Sequence, residues 1–183
     1  MKTKKIVSII ALSTIIAIGS STFAFADQFN VVTLGANLTQ EQKDNMLKYF
    51  NAKEGTYQLI TVNNKEEREA LKGIASEAEI GNKTISCSYV QPTKDGSGIN
   101  VKTVNLTWVT ASMISNTLVT AGINDANVIA AAPFQVSGTG ALTGILKGFE
   151  DSTGEKLDSE KKELANKELV TTGNLSNDPN IGK

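Results

Sequence analysis

The stretch PFQVSGTGALTG, residues 133 to 144, joins an apolar run to a segment with helical periodicity. Residues 126 to 134 have the continuous apolar character of a strand buried on both faces, and apolar side chains recur at helical core spacing from residue 141 to 149. The glycines between them allow the chain to leave the strand sharply and allow the helix to pack close to it. A buried strand that leads directly into a helix predicts an α/β fold.

The same Gly-rich turn is also the candidate ligand site. Backbone N–H groups of Gly138, Thr139 and Gly140 are expected to converge at the start of the helix, with Ser137 or Thr139 as its N-cap. Such a turn binds phosphate, sulfate or carboxylate, although its spacing matches neither a P-loop nor a dinucleotide-binding motif. Ser137, Gly138, Thr139 and Gly140 are therefore the predicted ligand-binding residues. Close helix packing is the alternative explanation for the glycines, and the one we favour.

Strand-like and helix-like patterns alternate along the rest of the chain. Strands are predicted at residues 29 to 34, 56 to 62, 83 to 90, 99 to 108 and 126 to 134. Thr39 with Gln42, and Asn64 with Glu67, are predicted capping boxes of two helices. The Asp-Gly pair after residue 90 predicts one antiparallel hairpin. The order β-α-β-α-β-β-α-β-α-α predicts an α/β fold, a mixed sheet with packed helices and that one hairpin.

The first 26 residues have the three parts of a secretory signal peptide. Three lysines lie within the first five residues, residues 6 to 18 are mostly apolar, and AFA at residues 24 to 26 is a cleavage pattern. We predict cleavage before Asp27, export from the cell, and no stable membrane span afterwards.

Without this segment the chain has the length of one domain with a substantial core. We expect the α/β domain to span residues 27 to 155 and to be followed, over residues 156 to 183, by a charged helix and a flexible tail. The 18 basic residues lose three lysines with the segment and the 19 acidic residues lose none, so the mature chain is acidic. It therefore lacks the positive surface that nucleic acid requires, and no nucleic-acid partner is predicted.

The absence of histidine from all 183 residues restricts the chemistry most. It excludes Ser-His-Asp and Cys-His catalysis and ordinary zinc sites. Cys87, the one cysteine, is predicted to be a small buried side chain and not a reactive thiol. Ser159 and Lys162 have Ser-x-x-Lys spacing, but the companion motifs are missing and we interpret the pair as part of a solvated helix face. No catalytic residue, metal site or cofactor is predicted.

Four blocks in a fixed order give a family resemblance: VVTLGANLTQEQ at residues 31 to 42, ITVNNKEEREAL at 60 to 71, GSGINVKTVNLTWVTASM at 96 to 113, and AAPFQVSGTGALTGILKGFE at 131 to 150. Over nearly the whole mature chain they resemble the YpuA-like family of exported Firmicutes proteins, a domain of unknown function. The resemblance implies an extracytoplasmic, Gram-positive setting and brings no activity, substrate or cofactor. Members of that family continue into a longer helical C-terminal region.

These observations predict a protein secreted to, or held at, the cell envelope that acts as a non-catalytic binding or regulatory module. Its predicted partner is an envelope protein or glycan. Two alternatives stay open. Carboxylates could support a cell-wall hydrolase, although Glu66 and Glu67 are predicted on exposed helix faces. The turn at residues 137 to 140 could instead be a small-anion receptor.

Overall fold

The computed structural model describes residues 29–177. The predicted signal peptide at residues 1 to 26 and the last six residues of the predicted tail lie outside the described residues. Along the described chain the elements are β1 (Asn30–Gly35), α1 (Gln40–Tyr49), β2 (Tyr57–Val62), α2 (Asn64–Ala70), α3 (Glu77–Ile80), β3 (Cys87–Pro92), β4 (Ile99–Leu106), α4 (Ala111–Thr120), β5 (Ala126–Val136), α5 (Thr139–Thr153) and α6 (Ser159–Asn177).

The five strands form one mixed sheet in the order β2-β1-β3-β5-β4. β1 pairs in parallel with β2, and β4 pairs in parallel with β5, each pair being joined by one crossover helix. Between the two pairs lies β3, which is antiparallel to both of its neighbours. The predicted α/β class, with helices packed on a mixed sheet, is confirmed.

The predicted antiparallel hairpin is wrong in its pairing. Both strands form, but β5 lies between β3 and β4. Both ends of the loop at residues 93 to 98 bond to Asp125, the residue just before β5. The Thr93 N–H donates to the Asp125 carbonyl at 3.3 Å, and the Gly98 N–H donates to the Asp125 carboxylate at 2.8 Å. The long, apolar β5 thereby gains a strand on each edge, which suits a strand buried on both faces.

Helices cover both faces of the sheet. On one face, Met46 of α1 and Phe50, the residue after it, pack against β1, β3 and β5. On the other face, the apolar sides of α4, α5 and α6 form the larger core with β3 and β5. Successive residues of a strand point to opposite faces, so Val31 and Thr33 of β1 face α5. This second face carries the features that bear on function.

α5 approaches the sheet closely because glycines line its buried side. Gly140, Gly144 and Gly148 recur every four residues and so share one side of the helix. A Cβ at Gly144 would lie 2.9 Å from Thr33 Cγ2, and the Gly144 carbonyl accepts a hydrogen bond from the Thr33 hydroxyl at 3.1 Å. Close packing, the role we favoured for the glycines, is therefore observed at Gly144.

α6 extends further than the sequence predicts. Residues 171 to 177, predicted as part of a flexible tail, continue the helix to Asn177. Gly173 accounts for the extension because it packs directly under the Trp108 indole. Earlier in α6, Ala165 and Leu169 belong to the larger core. Even with this extension, no helix within residues 29–177 is long and apolar enough to cross a bilayer.

Candidate functional site

The Gly-rich turn begins α5 with a glycine as the N-cap. Gly138 has a φ of 96° and makes no side-chain capping bond, so the two predicted caps, Ser137 and Thr139, are wrong. Glycine adopts that φ without steric cost, which accounts for its place here. The Thr139 hydroxyl instead donates to Oε1 of Glu67, 2.7 Å away, and lies 3.4 Å from Ser137 Oγ. The turn thus contacts a carboxylate of the protein itself.

Glu67 is a buried carboxylate, contrary to its predicted place on an exposed helix face. The residue is 1% exposed, and its Oε2 accepts a hydrogen bond from the Thr84 hydroxyl at 2.8 Å. Burial raises the pKa of the Glu67 carboxyl, and the hydrogen bonds from Thr139 and Thr84 offset only part of that effect. Through these contacts Glu67 links α2, the segment before β3 and the first turn of α5.

A one-residue shift in the cap of α2 explains why Glu67 points inward. The capping box uses Asn63 and Glu66, and not the predicted Asn64 and Glu67. The Asn63 side chain accepts from the Glu66 N–H at 3.0 Å, and the Glu66 carboxylate accepts from the Asn63 N–H at 2.9 Å. Glu67 then falls four residues before Leu71, on the buried side of the helix. That spacing is a signal by which the sequence alone could have identified it.

An external anion at the turn would have to displace Glu67. A Cβ at Gly140 would lie 2.9 Å from Oε2 of Glu67, so the carboxylate already fills the space beside this glycine. The positive end of the α5 dipole stabilises that carboxylate as it would stabilise a bound anion. Anion binding by Ser137, Gly138, Thr139 and Gly140 therefore stays a prediction.

A cleft between α2, α5 and α6 is a second candidate site. Its volume is about 560 Å³, within the range of roughly 300–1,000 Å³ that is typical of small-molecule sites. Thr143 and Leu146 of α5 line it, together with Asn166 of α6 and Ala70 at the end of α2. The sequence gives no local signal for this cleft, because packing brings the three helices together from distant parts of the chain.

Ion pairs hold the walls of the cleft in place. Glu150 of α5 is 9% exposed, and its Oε1 accepts hydrogen bonds from the Lys162 ammonium at 2.8 Å and from the Leu157 N–H at 2.9 Å. The Lys147 ammonium donates to Glu66 Oε1 at 2.6 Å. Burial acts to raise the pKa of Glu66, but the bond from Lys147, a backbone hydrogen bond and the lysine charge lower it overall. These pairs connect α5 to α6 and to α2.

Two polar atoms of the cleft residues have no hydrogen-bond partner within the described chain. Oγ1 of Thr143 and Oδ1 of Asn166 are both buried, and they do not bond to each other. Asn166 is 5% exposed, and its Nδ2 donates to the Ala70 carbonyl at 3.0 Å. Buried polar groups in native proteins nearly always have partners. Thr143 and Asn166 are therefore cleft residues whose hydrogen-bonding capacity is not fully used within the described chain.

The chemistry of the cleft depends on the partners of its polar side chains. The Ser-x-x-Lys pair, predicted on a solvated face, lines the cleft. The Glu150 carboxylate holds the Lys162 ammonium, so this lysine is not positioned as a base for Ser159. Glu67 has a raised pKa, as a general acid needs, but it is buried and does not line the cleft. Within residues 29–177 the cleft thus offers binding groups without a positioned pair of nucleophile and base.

Comparison with known proteins identifies the family. A family model described as "Protein of unknown function (DUF1002)" matches residues 34–183. The chain is similar to "Uncharacterized protein YpuA" of Bacillus subtilis (strain 168), with 46% identity over 145 residues. That match covers 79% of this chain and 50% of the relative, so the chain spans about half the length of the curated relative it matches. No solved structure matches the chain. The predicted YpuA-like family is confirmed, and the chain belongs to the DUF1002 family of proteins of unknown function.

Proposed function

We propose that this protein is an exported, non-catalytic binding module of the cell envelope, which holds a small polar ligand in the cleft between α2, α5 and α6. The observation that carries the proposal is the pair of orphaned buried atoms, Thr143 Oγ1 and Asn166 Oδ1, at a cleft of ligand size. A buried polar group without a partner costs roughly 1–3 kcal/mol. A ligand that supplies both partners removes this cost when it binds.

The envelope setting is supported by the first 26 residues, with their basic start, apolar run and AFA pattern. The ligand is accordingly a group carried by an envelope protein, peptide or glycan. N-terminal sequencing of the protein recovered from the envelope and the medium tests export. We expect a chain that begins at Asp27, whereas retention of the uncleaved chain inside the cell would contradict this part of the proposal.

Hydrolysis and small-anion binding have less support. A carboxylate-dependent cell-wall hydrolase needs two carboxyl groups that flank a glycosidic bond, whereas Glu150 is paired with Lys162 and Glu67 is buried. An anion receptor at residues 137 to 140 needs the Glu67 carboxylate to leave the start of α5. Release of fragments from purified peptidoglycan would favour the hydrolase, and phosphate binding that is lost in Thr139→Pro without unfolding would favour the receptor.

The cleft is tested with a solubilised envelope extract. The components that bind to the wild-type mature protein are compared with those that bind to two variants. Ala70→Tyr places a ring in the cleft from the end of α2. Val119→Tyr is the matched control, because it adds the same ring on α4 at a position that is 56% exposed. We expect the wild type and Val119→Tyr to retain the same components and Ala70→Tyr to lose them. Equal retention by all three forms, or retention by none, would contradict the proposal.

A further inference from the structure

We infer that the ligand of the cleft is a small zwitterion with N–H donors, namely an amino acid or a short peptide with free termini. This inference rests on the proposed function, because it names the chemistry of the ligand for the same cleft. Three properties of the cleft lead to it: the orientation of the Asn166 amide, the balance of charge on the walls, and the available volume.

The Asn166 amide fixes which kind of group the ligand must bring. Its Nδ2 donates to the Ala70 carbonyl at 3.0 Å, so the nitrogen end of the amide is committed to α2. The orphaned atom is therefore the oxygen, which can only accept a hydrogen bond. The Thr143 hydroxyl, which is also without a partner in the described chain, can donate or accept. A ligand with an ammonium or amide N–H beside a carbonyl or carboxylate oxygen satisfies both atoms.

The charges on the walls are balanced. Four lysines and four carboxylates line the cleft. Some of them already have partners, as in the pairs Lys162–Glu150 and Lys147–Glu66. Lys72, Glu69 and Asp151 form no ion pair with any described residue, so charges of both signs are available at the cleft.

This balance selects against strongly charged ligands. A multiply negative ligand such as a nucleotide would meet the unpaired carboxylates of Glu69 and Asp151, and a polyamine would meet the unpaired Lys72. A zwitterion can place each of its charges beside the opposite charge, and so it meets the electrostatic requirement of complementary partners. The apolar side chains of Ile74 and Leu146 leave room for short aliphatic groups.

The volume limits the size of the ligand. About 560 Å³ is at the middle of the range for small-molecule sites, roughly 300–1,000 Å³. A cleft of that size takes an amino acid or a short peptide, and not a folded chain. An amino acid or short peptide of the envelope with both termini free therefore fits, whereas the end of a longer chain would bring only one of the two charges.

Calorimetric titration of the mature protein with defined probes tests the inference. The probes are alanyl-alanine with free termini, the same dipeptide acetylated and amidated at its ends, inorganic phosphate and putrescine. We expect alanyl-alanine to bind at least about tenfold more tightly than the capped dipeptide, because the capped form lacks both charges. Phosphate and putrescine are expected to bind more weakly than alanyl-alanine.

Two variants link binding to the orphaned hydroxyl. Thr143→Val removes the hydroxyl with little change of shape and should weaken alanyl-alanine binding by about three- to tenfold, the size of one hydrogen bond. Thr93→Val is the matched control, since Thr93 Oγ1 is also buried without a partner but belongs to the loop after β3. It should leave binding unchanged.

The possible results distinguish failure of the inference from failure of the proposed function. Equal binding of the capped and free dipeptides, preferential binding of phosphate or putrescine, or equal effects of Thr143→Val and Thr93→Val would overturn the inference. If none of the probes binds while Ala70→Tyr still abolishes capture from the envelope extract, the inference fails and the proposed function stands. If none of the probes binds and Ala70→Tyr changes nothing, both fail.

Discussion

Replacement of Gly144 by alanine tests how α5 is seated on the sheet. The added Cβ would lie 2.9 Å from Thr33 Cγ2 and 3.3 Å from Ser88 Oγ, well inside the 3.5–4.0 Å or so at which carbon atoms attract each other. Thr33 is 2% exposed and cannot move outward. Relief of the overlap requires α5 to shift, which also strains the hydrogen bond from the Thr33 hydroxyl to the Gly144 carbonyl.

The expected loss of stability follows from opposing contributions. Overpacking costs about 1–3 kcal/mol, and a weakened buried hydrogen bond costs about 1 kcal/mol. Replacing glycine by alanine inside a helix gains about 1 kcal/mol. Gly144→Ala should therefore lower the free energy of unfolding by about 1–3 kcal/mol. At Gly148 a Cβ would be 3.4 Å from its neighbours, an ordinary contact, so Gly148→Ala should gain stability from helix propensity.

Urea unfolding of the mature protein, followed by circular dichroism, measures both variants. A double variant supplies the decisive control. Thr33→Ser removes the Cγ2 methyl group and keeps the hydroxyl, so it should recover most of the loss in the Gly144→Ala background. If Gly144→Ala is as stable as Gly148→Ala, or if Thr33→Ser recovers none of the lost stability, the close packing of α5 on the sheet is refuted.

Three further predictions concern buried groups. The Glu67 carboxyl has a raised pKa in the folded protein, so folding loses stability as pH rises above its ordinary value of 4.5, and Glu67→Gln should gain stability relative to the wild type as the pH rises from that value. Parallel curves of unfolding free energy against pH for the two proteins would show that Glu67 does not titrate in this way. A methyl group at Gly173 would overlap the Trp108 indole, so Gly173→Ala should destabilise the protein by about 1–3 kcal/mol and shift the emission of this tryptophan, and an unchanged spectrum would contradict the contact. Burial raises the pKa of the Cys87 thiol to about 11, so a thiol reagent at pH 8 should label it only after denaturation, and rapid labelling of the native protein would contradict its burial.

Local sequence signals predicted most of the individual elements. The Thr39–Gln42 capping box begins α1 as expected. The β-branched and apolar runs correctly indicated all five strands. These features depend on residues within a few positions of each other, which a single sequence displays directly. The short helix α3 was not predicted as a separate element, since its four residues carry too little periodicity.

The predictions that were wrong concern features that depend on contacts between distant segments of the chain. The Asp-Gly loop indicated a hairpin, but β5, which follows later in the chain, enters between the two strands. Residues 171 to 177 offered little to bury, yet Gly173 allows α6 to continue beneath Trp108. For the Gly-rich turn, the sequence predicts anion binding, but it could not show that the Glu67 carboxyl fills the space beside Gly140.

The cleft was even harder to predict from the sequence than these features. Nothing in the sequence distinguishes Thr143 and Asn166 from other polar helix residues. They point to the cleft only because packing of α5 and α6 with α2 removes one polar atom of each from solvent. Glu67 is an intermediate case. Its spacing of four residues to Leu71 was a signal for burial, but the adjacent pair Asn63 and Asn64 allowed two registers for the helix cap. Only the packed structure distinguishes the two registers.

A crystal structure of the mature protein purified from its native envelope tests the central claim most directly. The claim is that the cleft between α2, α5 and α6 holds a ligand through Thr143 and Asn166. We predict ordered non-protein density larger than a water molecule, within hydrogen-bond distance of Asn166 Oδ1 and Thr143 Oγ1. A cleft that contains only water, or one closed by protein groups that satisfy both atoms, would contradict the claim.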